Sequence, residues 1–410
     1  MTHRWVLPNG LTLLYQSSPA LPLAAGTLLL RTGSLYESPR QAGLANLAVE
    51  LLLQGTRRHS AEQLADKIES VGASLGTQTS DDYVEIGWAA PAQKLGSVLE
   101  VLLDLLTQPR FAPSEITKEK AEVLASLSTR YDTLFNIAHD PFNALLFGGH
   151  PYGRLVEGRI DTVKRFTRRE LLDWHKTWFD PKKAIVSIVA PQSFREGQSM
   201  LEKYFHRWDR PASTLGRTPS LCVSALERSA ETKIKASFEQ AYLMTGMLAP
   251  AISEPGYAAL KVLNTLFGGG MSSRLFLELR EKMGLAYEVS SFFPTRIQKS
   301  QWVLYMGLPP DKLDVARKKM NDLLAELVER EVSKNEVDQA RKMIRGSFLM
   351  ENQTRRRQAW YAAWGEFLGQ GPDFARAFLT QIDAVTPGEI RAVAKGLLGQ
   401  PRVTVEVTPR

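Results

Sequence analysis

Four glycines in the first half of this 410-residue chain recur in the second at almost one spacing. Gly33, Gly43 and Gly55 return as Gly246, Gly256 and Gly268, each 213 residues on, and Gly72 returns as Gly284 at 212. PAQKL at 91–95 is echoed by PPDKL at 309–313, and Glu115-Ile116 by Glu336-Val337, as the offset grows to 218 and 221. Two copies of one domain acquire such a drift through loop insertions. The chain is also too long for one ordinary hydrophobic core. Two domains of one plan are therefore expected, at 1–210 and 221–410, each with apolar periodicity for its own core. The linker is expected at 211–220, in the Pro-, Ser- and Gly-containing stretch RPASTLGRTPS.

Periodicity gives each half an α+β character. Residues 1–34 read as three strands, with Pro8, Asn9 and Gly10 in a turn. Helical spacing follows at 41–53 and 60–71, the second opened by a Ser60/Gln63 capping box. Two strands at 73–79 and 82–90 turn at Ser80 and Asp81. Helices are expected near 92–106, 113–134, 137–147 and 163–177, then a strand at 183–190 and a helix at 193–205.

Hydrophobic residues make up 44% of the chain and charged residues 23%, as in soluble globular proteins. No stretch has the apolar length needed to span a bilayer. The opening MTHRWVLPNGLTLLYQ has no apolar signal core, which argues for the cytoplasm. A cleaved signal replaced by Met1 would make the periplasm the alternative. The single cysteine, Cys222, excludes an intrachain disulfide and a thiolate metal cluster, and is expected as a small buried residue. The net charge is +7, but the basic residues are scattered among acidic ones and no nucleic-acid motif is present. Arg355, Arg356 and Arg357 read as a solvated helix face, with a patch for an acidic peptide as the alternative.

The stretch FGGGMSSRLFLELREKMGLAY, at 267–287, is the densest in signals. Its three glycines permit positive φ or a close backbone approach. Ser272 and Ser273 offer an N-cap, and Leu275, Leu279 and Met283 recur every four residues, so an α-helix is expected to run to about Lys282 before Gly284. Arg280 leaves that helix near its end, and Tyr287 opens a strand-like run. A planar cationic fork and a phenolic hydroxyl on one rigid corner suit a peptide carbonyl. The plainer reading pairs Arg280 with Glu278 or Glu281 and buries Tyr287.

This segment resembles the C-terminal-domain signature of the M16 metallopeptidases, the pitrilysin, insulinase and mitochondrial processing peptidase family. RTGSLYE at 31–37, GLANLAVELLLQGT at 43–56 and HPYGR at 150–154 extend the resemblance over essentially the whole chain. It implies two homologous α+β domains, each an antiparallel-rich sheet covered by helices, in clamshell-like pairs around a peptide chamber. It also implies that Arg280 and Tyr287 bind the substrate backbone.

The family's catalytic signature is H-x-x-E-H on a helix, with a further glutamate downstream completing the zinc ligands. In the matching frame Asn46 stands for the first histidine, Val49 for the general base, Glu50 for the second histidine, and Ser126 for the last ligand. None of the six histidines is three or four residues from another. Asn46, Glu50 and Ser126 make a poor site even for a hard cation, and Val49 cannot take a proton from water. They are expected to form a small polar cluster where the family holds zinc. The family's edge strand near zinc carries Asn-Ala, where this chain has Gly76 and Thr77, but main-chain pairing with an extended peptide needs neither side chain.

The resemblance thus implies a chain without catalytic residues, metal or other cofactor of its own. It would be one subunit of a heteromeric peptidase, contributing Arg280 and Tyr287 while a zinc-bearing paralogue hydrolyses the peptide. The alternative is an inactive pseudopeptidase homodimer that binds peptides or serves in assembly. An active hydrolase of another mechanism has no nucleophile motif behind it.

Overall fold

The computed structural model describes residues 2–209 and 222–410, so the expected linker lies outside the described residues. The elements of the first half are β1 (Thr2–Val6), β2 (Thr12–Ser17), β3 (Leu23–Leu30), α1 (Leu44–Glu50), α2 (Ala61–Glu69), β4 (Ser74–Thr79), β5 (Val84–Pro91), α3 (Leu95–Thr107), α4 (Pro113–Thr129), α5 (Leu134–Phe147), α6 (Ile160–Arg165), α7 (Arg168–Trp178), β6 (Ala184–Ala190) and α8 (Phe194–Phe205). Those of the second are β7 (Ala230–Ala236), β8 (Ala241–Ala249), α9 (Tyr257–Gly268), a π-helix (Phe276–Lys282), β9 (Glu288–Phe292), β10 (Ser300–Leu308), α10 (Leu313–Glu329), α11 (Lys334–Glu351), α12 (Arg355–Phe367), α13 (Phe374–Ala384), α14 (Pro387–Leu398) and β11 (Val403–Pro409). The class is α+β, as expected. Among the described residues no helix is long and apolar enough to cross a membrane.

The first sheet runs β1-β2-β6-β3-β5-β4, with β2 and β6 parallel and its other neighbours antiparallel. Alternation along β5 sends Val84, Ile86, Trp88 and Ala90 into an apolar core shared with α1, α3 and α7. The second sheet runs β7-β11-β8-β10-β9, with β11 and β7 parallel. Strand for strand it repeats β2-β6-β3-β5-β4, and Gly43 and Gly256 are matching left-handed residues that open α1 and α9, whereas Gly33 follows β3 and its offset partner Gly246 lies inside β8. The helices agree: capping boxes at Thr167/Glu170 and Thr386/Glu389 open α7 and α14, each the last helix before the strand that joins the parallel pair.

The compact units nevertheless differ from the sequence halves. One comprises 1–129, 154–220 and 351–375, the other 130–153, 221–350 and 376–410. The main core of each comes from its own half, but the opposite sheet face is covered by a helix from the other half. α12 packs on β3 and β6, and α5 on β8 and β11. These helices are equivalent in the repeat, each N-capped by a threonine, Thr133 or Thr354.

The exchange corrects the reading of the three arginines. Arg355 donates to the carbonyls of Ser18, Leu21 and Leu23, Arg356 stands 3.7 Å from Glu85, and Arg357 lies over the rings of Trp360 and Tyr361. Arg355 thus docks α12 on its sheet and Arg356 reaches Glu85 from an exposed position, while Arg357 stacks along its own helix. Cys222 is exposed rather than buried, because it precedes β7 and packs in neither core.

Candidate functional site

Three separate motifs meet at the start of α1. Glu37, the last residue of RTGSLYE, accepts from the backbone N–H groups of Gly43 at 3.0 Å and Ala45 at 2.6 Å. Arg154, the last residue of HPYGR, donates to the Glu37 carbonyl at 2.7 Å. Gly43 has φ +94°, and a Cβ there would meet the Glu157 carbonyl oxygen at 2.5 Å, so only glycine serves. Burial pushes the Glu37 carboxyl up to about 8, opposed by the helix N–H groups and Arg154. These contacts fix where α1 starts and which face it presents.

That face carries Asn46 and Glu50, one turn apart and half-buried. Val49, beside them on the helix, is fully buried in the core. Opposite Glu50 is a residue that the sequence frame missed, Glu119 on α4. It is buried and accepts from the Gln54 amide at 3.3 Å. Burial first, and Glu119 second, raises the Glu50 carboxyl. Burial, then Glu122, raises that of Glu119, against the Gln54 hydrogen bond. Ser126 is exposed two turns further along α4, where its carbonyl accepts from the Thr129 hydroxyl. The polar partner of Glu50 is thus Glu119 instead of Ser126. The available signal was spacing, since Glu119 is seven residues before Ser126 on the same helix face.

These side chains do not fit a zinc site of the H-x-x-E-H kind. Zinc there needs imidazoles and a carboxylate in a closed geometry, with a base beside the bound water. Here the donors are an amide and two mutually repelling carboxyls, while the residue at the base position faces the core. Among the described residues no three His, Cys, Asp or Glu side chains converge. β4, carrying Gly76 and Thr77, is the edge strand beside α1, as the family pattern implied.

Arg280 and Tyr287 lie in the other compact unit. The glycine run before them works by close approach, since none of the three has positive φ. A Cβ on Gly268 would meet the Ser291 backbone N at 2.6 Å, so α9 can end against β9 only without one. The helix that follows is π-helical over Phe276–Lys282, not the expected α-helix, with Met283 N–H bonding the Glu278 carbonyl. Leu275 and Leu279 are fully buried, whereas Met283 is exposed. Wide turns of this kind recur at functional sites. Arg280 is exposed with its guanidinium 5.0 Å over the Phe276 ring, while Glu278 takes Lys282 at 2.6 Å and Lys319 at 3.1 Å. Gly284, at φ +56°, ends the helix, and the Lys312 ammonium donates to its carbonyl. The Tyr287 N–H then bonds the Gly307 carbonyl at 2.9 Å, leaving the side chain 59% exposed. Neither side chain follows the plainer reading.

Residues 12–158 match the family described as Insulinase (Peptidase family M16), and 165–344 match Peptidase M16 inactive domain. An uncharacterized zinc protease of Streptomyces coelicolor is 28% identical, over 97% of this chain and 87% of its own. One of Bacillus subtilis is 23% identical, over 100% and 98%. Two solved structures share the fold at 20% identity. A protease from Helicobacter pylori has TM-score 0.94 over 100% of this chain and 99% of that one. A peptidase M16 inactive domain from Pseudomonas fluorescens has TM-score 0.90 over 100% and 98%. With both halves matched in order, the chain belongs to the M16 peptidase family.

Proposed function

We propose that this chain is the non-catalytic subunit of a heteromeric M16 peptidase. It forms half of a peptide chamber and contributes Arg280 and Tyr287 to substrate binding, while a zinc-bearing paralogue performs hydrolysis. The observation that carries the reading is a contrast. The general-base position, Val49, is built into the core, whereas Arg280 and Tyr287 are held out to solvent on a braced corner. A chain kept only as scaffold has no use for an exposed guanidinium set over Phe276 and an exposed phenol on a backbone held by Lys312 and Gly307. Zinc belongs to the partner in this reading, and the substrate is an extended peptide.

The test is purification of the tagged chain from its native host, with mass spectrometry of what accompanies it, then reconstitution with a co-purifying paralogue that carries H-x-x-E-H. Peptide hydrolysis by the pair and by neither chain alone is the expected result. Recovery only as a homodimer, with no paralogue and no hydrolysis, would replace this reading with the pseudopeptidase one.

A further inference from the structure

In the first unit α8 packs on β2 and α3, and its Leu201 and Phe205 share one core with Leu13 and Tyr15 of β2 and Leu99, Leu102 and Leu103 of α3. The repeat sets β7, β11 and α10 where β2, β6 and α3 stand, but no described helix of the second unit takes the place of α8. Carried over by the 218-residue offset, Leu99, Leu102 and Leu103 become Arg317, Met320 and Asn321. The strands have changed in the same sense. On this face β7 carries Glu231, Lys233 and Lys235, and β11 carries Thr404, Glu406 and Thr408, where β2 and β6 have Leu13, Tyr15, Val186 and Ile188.

An open pocket of about 310 Å³ remains there, lined by the apolar Leu243 and Met320 and by the polar Glu231, Arg317, Asn321 and Arg402. Its charges are unevenly matched. Arg317 is paired with the buried Glu406 carboxylate and stands 3.4 Å from Glu231, while its Nε–H is buried without an acceptor. Lys233 is 3.4 Å from Glu406 and 3.9 Å from Glu231. The exposed Glu231 carboxylate is therefore met only by long contacts. Arg402 donates to the Asn321 amide oxygen at 3.0 Å and has no carboxylate partner among the described residues.

The register brings the two underused charges together. Thr404 pairs with Glu231 and Arg402 lies two residues before Thr404, so Arg402 and Glu231 leave one face of adjacent strands from Cα atoms about 8 Å apart. Arg317 and Asn321, one turn apart on α10, bound the same space. A molecule whose carboxylate and ammonium are one carbon apart can meet both charges and still lay a side chain on Leu243 and Met320.

We propose that this pocket binds a free α-amino acid with an apolar side chain. Its carboxylate takes Arg402 and the Asn321 amide N–H, its ammonium takes Glu231, and its side chain covers Leu243 and Met320. The site uses none of the residues of the subunit reading and needs neither a paralogue nor hydrolysis.

The test is isothermal titration calorimetry of the isolated full-length chain with L-leucine, which should bind saturably with a Kd below about 10 mM. Glycine should bind about tenfold more weakly, for want of the apolar contact. Leucinamide lacks the carboxylate and N-acetyl-leucine the ammonium, and each should bind about tenfold more weakly or worse. Arg402→Gln should bind leucine and leucinamide alike, and Glu231→Gln should bind leucine and N-acetyl-leucine alike. Both variants should keep the wild-type thermal melt, since both side chains are exposed. Absence of saturable heat up to about 20 mM leucine, or wild-type binding that neither leucinamide nor N-acetyl-leucine weakens, would overturn the proposal. Leucine binding indifferent to both substitutions would put the amino acid elsewhere on the chain and overturn this site.

Discussion

The Arg356 guanidinium of α12 stands 3.7 Å from the Glu85 carboxylate of β5, joining a helix of the second half to a strand of the first. Glu85 is buried, and burial raises its carboxyl while Arg356 pulls it back down. Nearby, Tyr83 packs against Trp364 and Phe367, with ring centroids 5.0 and 5.9 Å away. The face of the first sheet is completed by residues 351–375, as that of the second is by 130–153. Separating the halves strips a sheet-covering helix from each.

A protease site introduced into 211–220 should therefore cut the chain without releasing the fragments. Both fragments are expected in one peak on size exclusion, and each expressed alone should aggregate or be rescued by the other. The buried Trp364 and Phe367 alone represent about 2 to 3 kcal/mol each of apolar burial that fragment 1–210 cannot supply. Two soluble monomeric fragments would contradict the exchange.

The sequence carried the repeat and the strand and helix positions of the first half, because each rests on local spacing. It could not show that α5 and α12 cover each other's sheets, since periodicity gives a helix an apolar face without saying which sheet that face meets. Gly268 illustrates a second limit. A glycine run announces either positive φ or close approach, and only the position of Ser291 decides between them. Likewise Leu275 and Leu279, four apart, do not distinguish i→i−4 bonding from the wider turn actually formed. Glu119 was missed because the motif frame was followed to Ser126, whereas the packing of α1 on α4 selects by face and burial.

Glu37 should make stability depend on pH. Its folded-state carboxyl is raised to about 8 by burial, so the folded state holds a proton that the unfolded chain has lost. The resulting stabilisation is full below about 4.5 and is lost as pH rises toward 8. Urea unfolding at pH 5 and pH 8 should give a clearly lower midpoint at pH 8, and a smaller difference in Glu37→Gln. Glu37→Ala should cost about 1 to 3 kcal/mol at either pH, because the Gly43 and Ala45 N–H groups lose their acceptor.

Rebuilding the zinc motif should fail one residue at a time. Val49→Glu places a carboxyl where the wild-type side chain is fully buried, and should lower stability by about 3 kcal/mol or more in a thermal melt. Isothermal titration with zinc should show no stoichiometric site in the wild type or in any single variant. Tight binding needs Asn46→His and Glu50→His together with a facing carboxylate, a place that Glu119 holds while Ser126 is exposed, because a site missing a ligand holds zinc weakly; Val49→Glu would add only the base. One tightly bound zinc per wild-type chain would contradict the assignment of these four positions.

The most informative substitutions are at the braced corner, tested in the reconstituted pair. If Arg280 and Tyr287 hold the peptide backbone while the partner's zinc polarises the scissile carbonyl, each hydrogen bond to the reacting region stabilises the transition state. Losing one should cost about 2 to 4 kcal/mol, roughly thirty- to a thousandfold in kcat/KM. Tyr287→Phe deletes the hydroxyl alone, and with the side chain 59% exposed and its backbone bonded to Gly307, the fold should not change. Arg280→Lys keeps the charge but loses the planar fork and its stacking on Phe276, so it should also be impaired. Phe276→Leu tests the bracing itself, since it leaves Arg280 in place without its ring, and a rise in KM larger than the fall in kcat is expected. Co-elution of the two subunits should survive all three changes, because none removes buried core surface. A pair carrying Tyr287→Phe or Arg280→Lys that cleaves at the wild-type rate would make this chain a scaffold and return the pseudopeptidase reading.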